Sequence, residues 1–211
     1  MLVNDPALST EQKNKVYAAY SREMIVLSFG QATDIYWHNG HSSSVNEQQY
    51  LQMCSYKTAS LARFAIKLGA ILGNASEKQE EAFADFATSI GVAFQIQDDI
   101  LNIKPEKGWG KEVGDDISEG KRTLIVIRAL PQLNEVKKKR LIAILDKPDN
   151  EKNEIKEAIS ILNETDAVQY SSNFAKKLVM DSWKNLEPLL EESPAKERLK
   201  QFANFLVERE I

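Results

Sequence analysis

The chain has 211 residues, 43% of them hydrophobic, with 31 acidic side chains against 27 basic ones and a formal net charge of −4. That length supports one sizeable core without a second domain, while the acidic balance argues against a nucleic-acid partner. No apolar run approaches the length of a membrane span, so a protein that crosses no bilayer is expected.

In chain order, amphipathic periodicity predicts helices over Thr10 to Trp37, Glu47 to Leu72, Glu77 to Ile103, Lys121 to Leu130, Asn134 to Leu145, Asn150 to Leu162, Ala167 to Leu190 and Ala195 to Arg209. Ser9 with Gln12, Ser44 with Glu47 and Ser76 with Gln79 have the capping-box spacing at three of these starts. No strand is evident. The expectation is a single all-α domain over residues 1–211: long central helices on short connections, antiparallel in a bundle, with any site built from side chains that point inward. Phe83, Phe86, Ile90 and Phe94 recur at helical spacing and read as core, some of them as possible cavity lining. His38 and His41 sit at a polar helix end beside Asn39 and Gly40 and read as surface residues. The K-K-K-R run from Lys137 to Arg140 is short and reads as a solvated helix face. Cys54 is the only cysteine and no charged-then-apolar leader opens the chain, so core packing in a reducing cytoplasm is expected.

The third predicted helix carries the chemistry. Its end reads G-V-A-F-Q-I-Q-D-D-I-L-N-I from Gly91 to Ile103, placing Asp98 and Asp99 in an apolar run. An ionised carboxylate in such surroundings needs a cation, a metal or strong donors, or it neutralises. At about 100° per residue, Gln95, Asp98, Asp99 and Asn102 share one stripe about a third of the circumference wide. Magnesium suits that stripe, because it takes one or two carboxylate oxygens and completes its octahedron with water and phosphate. The plainer alternative has the acids facing bulk water or a lysine.

Beyond Gly108 and Trp109 the chain continues G-K-E-V-G-D-D-I-S-E-G-K-R-T from Gly110, bringing Lys111, Asp116 and Lys121 soon after the acids. Carboxylates that share a divalent ion, with lysines as point charges, suit a polyphosphate. Each charge pair at about 4 Å is worth on the order of 4 kcal/mol at an effective dielectric near 20, so several together can hold a multiply charged leaving group. A solvated charged loop is the alternative for any one of these residues alone.

From about Gly30 to Leu130 the chain resembles the trans-type isoprenyl diphosphate synthases, the family of farnesyl and geranylgeranyl diphosphate synthases. Gly30-Gln31 with Asp34 is similar to the family's G-Q-x-x-D, and Tyr50-Leu51 leading to Lys57-Thr58 is similar to its K-T turn. F-Q-I-Q-D-D-I-L-N resembles the second aspartate-rich motif, and the segment from Gly110 to Thr123 resembles G-K-x-x-G-x-D-x-x-E-G-K-x-T. The resemblance implies helices around a deep cavity and magnesium-dependent coupling of an allylic prenyl diphosphate with isopentenyl diphosphate. It further implies that Asp98 binds Mg2+ with Asp99 beside it, and that Asp116 supports the metal or the lysines. Lys57, Lys111 and Lys121 are then the contacts to the allylic diphosphate, with Thr58 and Gln95 offering oxygens to the developing carbocation.

Two departures accompany the match. Asn102 stands where the family's second motif has a third aspartate, and no D-D-x-x-D first motif occurs, the only D-D pairs being Asp98-Asp99 and Asp115-Asp116. The expectation is therefore the C-terminal part of a prenyl synthase that lacks the N-terminal helices, natural or cut. It would work in a hetero-oligomer with a separate N-terminal polypeptide that carries D-D-x-x-D. A non-catalytic regulatory subunit of a prenyl synthase is the alternative, and the retained Lys57, Gln95, Asp98, Lys111 and Lys121 weigh against it.

Overall fold

The structure is a computed structural model that describes residues 5–41, 45–105 and 113–208. Among these there are helices and no strand: α1 (Thr10–Tyr36), α2 (Glu47–Lys57), α3 (Ala59–Leu72), α4 (Glu77–Ile103), α5 (Asp115–Ser118), α6 (Leu124–Ala129), α7 (Glu135–Leu145), α8 (Lys152–Asn163), α9 (Ala167–Leu186) and α10 (Pro194–Glu208). The all-α expectation is met. No helix among the described residues is long and apolar enough to cross a membrane.

The caps on α1 and α4 are those expected from sequence. Ser9 and Ser76 accept from the amides of Gln12 and Gln79, whose side chains return to the cap backbone. The cap of α2 is Asn46 with Gln49, two residues later than the predicted Ser44 and Glu47. Asn46 has extended backbone and its Oδ1 accepts from the Gln49 amide at 3.0 Å.

Helix α4 is the axis of the molecule, packed along α3 on one side and α9 on another, with α2 and α10 also against it. The first core forms there, from Tyr50, Cys54, Phe86, Ile90, Ile96, Leu124, Trp183 and Leu186. Phe86 meets the Trp183 ring at 5.5 Å, and its complete burial is worth about 1.5–3 kcal/mol. Cys54 is buried and free, as expected of a packing residue. A second core joins the end of α4 to α5, α6, α7 and α8 through Ile103, Ile117, Ile125, Leu141, Ile144 and Leu162. Phe94, read from sequence as core, lies outside both cores and is exposed, on a face of α4 that points away from buried Ala93 and Ile96.

The predicted helix from Glu47 to Leu72 is in fact two, divided at Thr58. The Ser60 hydroxyl bonds back to the Tyr56 carbonyl at 2.5 Å, a local bond that competes with the helical ladder and bends it. Two glycines pin the break in place. A Cβ on Gly30 of α1 would lie 2.3 Å from the Lys57 nitrogen, and one on Gly91 of α4 would lie 2.4 Å from the Ala59 Cα. Bare backbone at both positions lets α1 and α4 close on the Lys57–Ala59 segment from either side. The predicted helix from Ala167 to Leu190 stops at Leu186, since Pro188 has no amide to continue it and a 3₁₀ turn, Glu187–Leu189, follows. The predicted helix from Lys121 begins later, at Leu124, capped by Thr123.

A buried ionic cluster ties the first four helices together. Glu23 of α1 is 2% exposed, and its two oxygens receive Arg63 Nε at 3.0 Å and Lys67 Nζ at 2.9 Å. Arg63 also donates to the Ser55 carbonyl at 2.9 Å and to the hydroxyls of Ser55, Ser60 and Thr88, so it clamps both sides of the break.

Candidate active site

The break at Thr58 faces α4 and the segment from Gly120 to Thr123 across a cleft. Lys57, Gln95, Asp99 and Lys121 line it together, along with Asp34, His38, Tyr50 and Arg122. Four residues singled out from sequence, contributed by three different parts of the chain, thus share one concavity. Thr58 joins them through its hydroxyl, which donates to Gln95 Oε1 at 2.8 Å.

The two lysines are each held by an acid. Lys57 bonds to Asp34, which closes the G-Q-x-x-D motif of α1. Lys121 reaches Asp116 and Glu119, both at 2.6 Å. Gly120 precedes it with a positive φ of 68°, and a Cβ there would lie 2.5 Å from the Leu145 carbonyl, so only glycine allows the turn that aims Lys121 at the cleft. Arg122, 8% exposed, secures the other side of that turn by donating to the Gly120 carbonyl at 2.8 Å and pairing with Asp146. Burial opposes the charge of Lys121, yet the Asp116 and Glu119 carboxylates outweigh it and hold the ammonium above its usual range.

The acidic end is crowded. Asp99 is 3% exposed, and its carboxylate accepts from Tyr50 Oη at 2.6 Å and from Gln95 Nε2 at 3.0 Å. Burial, then the neighbouring Asp116 and Asp98 carboxylates, raise its pKa to about 7 against the pull of those two donors. Asp116 is likewise raised by burial and by Asp98, with Lys121 opposing. Asp98, Asp99 and Asp116 therefore act on one another electrostatically, although among the described residues no three His, Cys, Asp or Glu side chains gather closely enough to enclose a metal ion. Such a donor set fits Mg2+ held partly by protein and partly by a phosphate ligand: one or two hard carboxylate oxygens suffice, and a shared cation relieves the mutual repulsion.

Asn102 has a use that sequence alone left undefined. Its side chain is buried and accepts from the Asp116 amide at 3.2 Å, while its carbonyl accepts from the Gly114 amide at 2.9 Å. It thus anchors the start of α5 and sets Asp116 over the end of α4. His38 is exposed as expected, but it also borders the cleft, with Nε2 3.7 Å from Glu119. Lys111 and Trp109 lie outside the described residues, as does the His41 side chain. Sequence reasoning gave no role to Tyr50, Asp34 or Arg122. For Asp34 a signal existed, an acid one helical turn beyond Gly30, whose close approach brings it to Lys57; Tyr50 and Arg122 lay within segments that resemble family motifs, but nothing there set out what they bond.

A protein-family model described as polyprenyl synthetase matches residues 4–162. A short chain isoprenyl diphosphate synthase of Methanothermobacter thermautotrophicus is 38% identical over 202 residues, covering 95% of this chain and 61% of the relative. The crystal structure of geranylgeranyl pyrophosphate synthetase from Pyrococcus horikoshii superposes with a TM-score of 0.87 at 33% identity, covering 99% of this chain and 62% of that one. A geranylgeranyl pyrophosphate synthase from Corynebacterium glutamicum, crystallised with isoprenyl diphosphate and magnesium, superposes with a TM-score of 0.83 at 25% identity, covering 96% and 57%. The chain spans about three fifths of the length of these proteins.

Proposed function

Since the chain belongs to the polyprenyl synthetase family, we propose that its cleft binds an allylic prenyl diphosphate and couples it with isopentenyl diphosphate, as a short-chain isoprenyl diphosphate synthase does. The observation that carries this reading is the convergence of Lys57, Gln95, Asp99 and Lys121 on one cleft. Asp98, with Asp99 beside it and Asp116 behind, would hold Mg2+, which when bound supplies charge to the departing pyrophosphate. Lys57 and Lys121, with Lys111 from its sequence position, neutralise the remaining phosphate oxygens as carbon–oxygen cleavage proceeds. Thr58 and Gln95 present oxygen lone pairs to the allylic cation, and the enclosed wall around them keeps water from capturing it. Asp34 keeps Lys57 aimed.

The first aspartate-rich motif is not among these 211 residues, and in this reading helices that carry it complete the cleft, in the cytoplasm. An exposed apolar face on α1, with Ile25, Phe29 and Tyr36, supports such packing. The test is to purify the chain from its native source, ask whether a D-D-x-x-D polypeptide accompanies it, and assay the assembly with both diphosphates and Mg2+. Prenyl transfer that falls at least 100-fold in Asp98→Ala supports the proposal. Transfer untouched by that substitution would favour a regulatory subunit, and no transfer in the complete mixture would end the catalytic reading.

A further inference from the structure

The cleft contains a chain of hydrogen bonds whose order fixes the direction of one amide. Tyr50 is buried in the core on α2, 2% exposed, and its hydroxyl reaches Asp99 Oδ2 at 2.6 Å. The other oxygen, Oδ1, receives Gln95 Nε2 at 3.0 Å from one turn earlier on α4. Gln95 Oε1 is thereby turned the other way, where it accepts the Thr58 hydroxyl at 2.8 Å. A glutamine side chain can present either its oxygen or its NH2 to a given neighbour, and the network around it decides which. Here the bond from the Gln95 NH2 end to Asp99 Oδ1 fixes the choice. The reverse orientation would give up the bond to Asp99 and set the Gln95 oxygen against the Asp99 oxygen, while Thr58 would turn from donor to acceptor.

We propose that Tyr50 and Asp99 are positioning residues, a tyrosine-carboxylate latch that holds Gln95 with its carbonyl oxygen toward Thr58 and the reaction cleft. This deepens the prenyl-transfer reading and rests on it for its catalytic consequence. With the latch in place, the Thr58 proton is committed to Gln95, and the threonine lone pairs are left for an electron-poor carbon. With the amide reversed, Gln95 points positive hydrogens at the same region, where a cation is to form. In this proposal Asp99, each of whose oxygens accepts one bond from a neutral donor inside the protein, orients the Gln95 amide and leaves the metal to Asp98 and Asp116. Tyr50 makes that division stable, because it occupies the oxygen that Gln95 leaves.

The test uses the full chain and two variants, Tyr50→Phe, which keeps the ring in its core position, and Asp99→Asn, which keeps the shape of the acid. The first readout needs no activity: proton exchange of the Gln95 side-chain amide by NMR, assigned with Gln95→Glu. Protection lost at least tenfold in both variants is the expected result. Equal protection in all three proteins overturns the latch. The second readout, in the assembly that transfers prenyl groups, is a kcat lowered about 10- to 100-fold in Tyr50→Phe with KM for both diphosphates and the Mg2+ requirement unchanged. A raised Mg2+ requirement in Asp99→Asn assigns that acid to the metal and refutes the latch. If the unsubstituted assembly transfers no prenyl group, the functional proposal fails while the NMR result still decides the orientation.

Discussion

Glu23 and Asp99 are both carboxylates on long helices and both nearly sealed from water, yet their surroundings differ in kind. Glu23 meets two cations, Arg63 and Lys67, and Arg63 spends its remaining donors on the backbone and hydroxyls of the α2–α3 break. Asp99 meets only neutral donors, Tyr50 and Gln95, and faces further acids in Asp98 and Asp116. A charge matched by local counter-charges holds helices together. A buried carboxyl held by neutral donors and raised by neighbouring carboxylates, as Asp99 is, marks the cleft as a place for a ligand more clearly than burial itself does.

The largest effect that separates the two clusters is on stability. Arg63→Met leaves the buried Glu23 with Lys67 alone and is expected to destabilise the chain by about 3 kcal/mol, the lower end for breaking a buried pair because one oxygen keeps its lysine. Urea unfolding measures it. The double variant with Glu23→Met should recover much of the loss, and a double variant as unstable as the single would show that Arg63 acts mainly through the Ser55 carbonyl.

A smaller effect concerns pH in metal-free buffer. The folded Asp99 carboxyl, raised from 3.8 to about 7, keeps a proton that the unfolded chain has already released. Stability should therefore fall as pH rises through that window, by up to about 1.4 kcal/mol per pH unit for a single proton. In Asp99→Asn the slope between pH 5 and 7 should flatten, as urea midpoints across that range would record. A slope identical in the two proteins would mean that the crowding of acids at the cleft is relieved in solution.

The smallest effect belongs to an ion pair with neither property. Arg140 on α7 grips Glu157 of α8 at 2.6 Å in the open, and Arg140→Ala should leave the urea midpoint within measurement error. A clear shift there would show that solvent screening on this face is weaker than its exposure implies.

How far the site could be read in advance follows the range of each interaction. The acid stripe on α4 was legible because it is a matter of 100° steps along one helix. So were the caps at Ser9 and Ser76, which bond across three residues. The cap at Asn46 was missed by two residues because Ser44 and Asn46 both offer an acceptor and the backbone alone chooses. The break at Thr58 could not be seen as a break, since Glu47 to Leu72 keeps a helical pattern throughout; the bend depends on Ser60 bonding back and on α1 and α4 closing at Gly30 and Gly91.

By itself the sequence determined that the chain is helical, that one helix carries two acids among apolar residues, and that lysines and a glycine-rich turn come soon after. Periodicity and hydrogen bonds between near neighbours suffice for all of that. The tertiary structure decided which acid meets which partner: Asp34 with Lys57 across 23 residues, Tyr50 with Asp99 across 49, Asn102 beneath Asp116. Those pairings rest on how closely helices approach, and closeness depends on bare glycine backbone and packed side chains on several elements at once, which no single stretch of residues encodes.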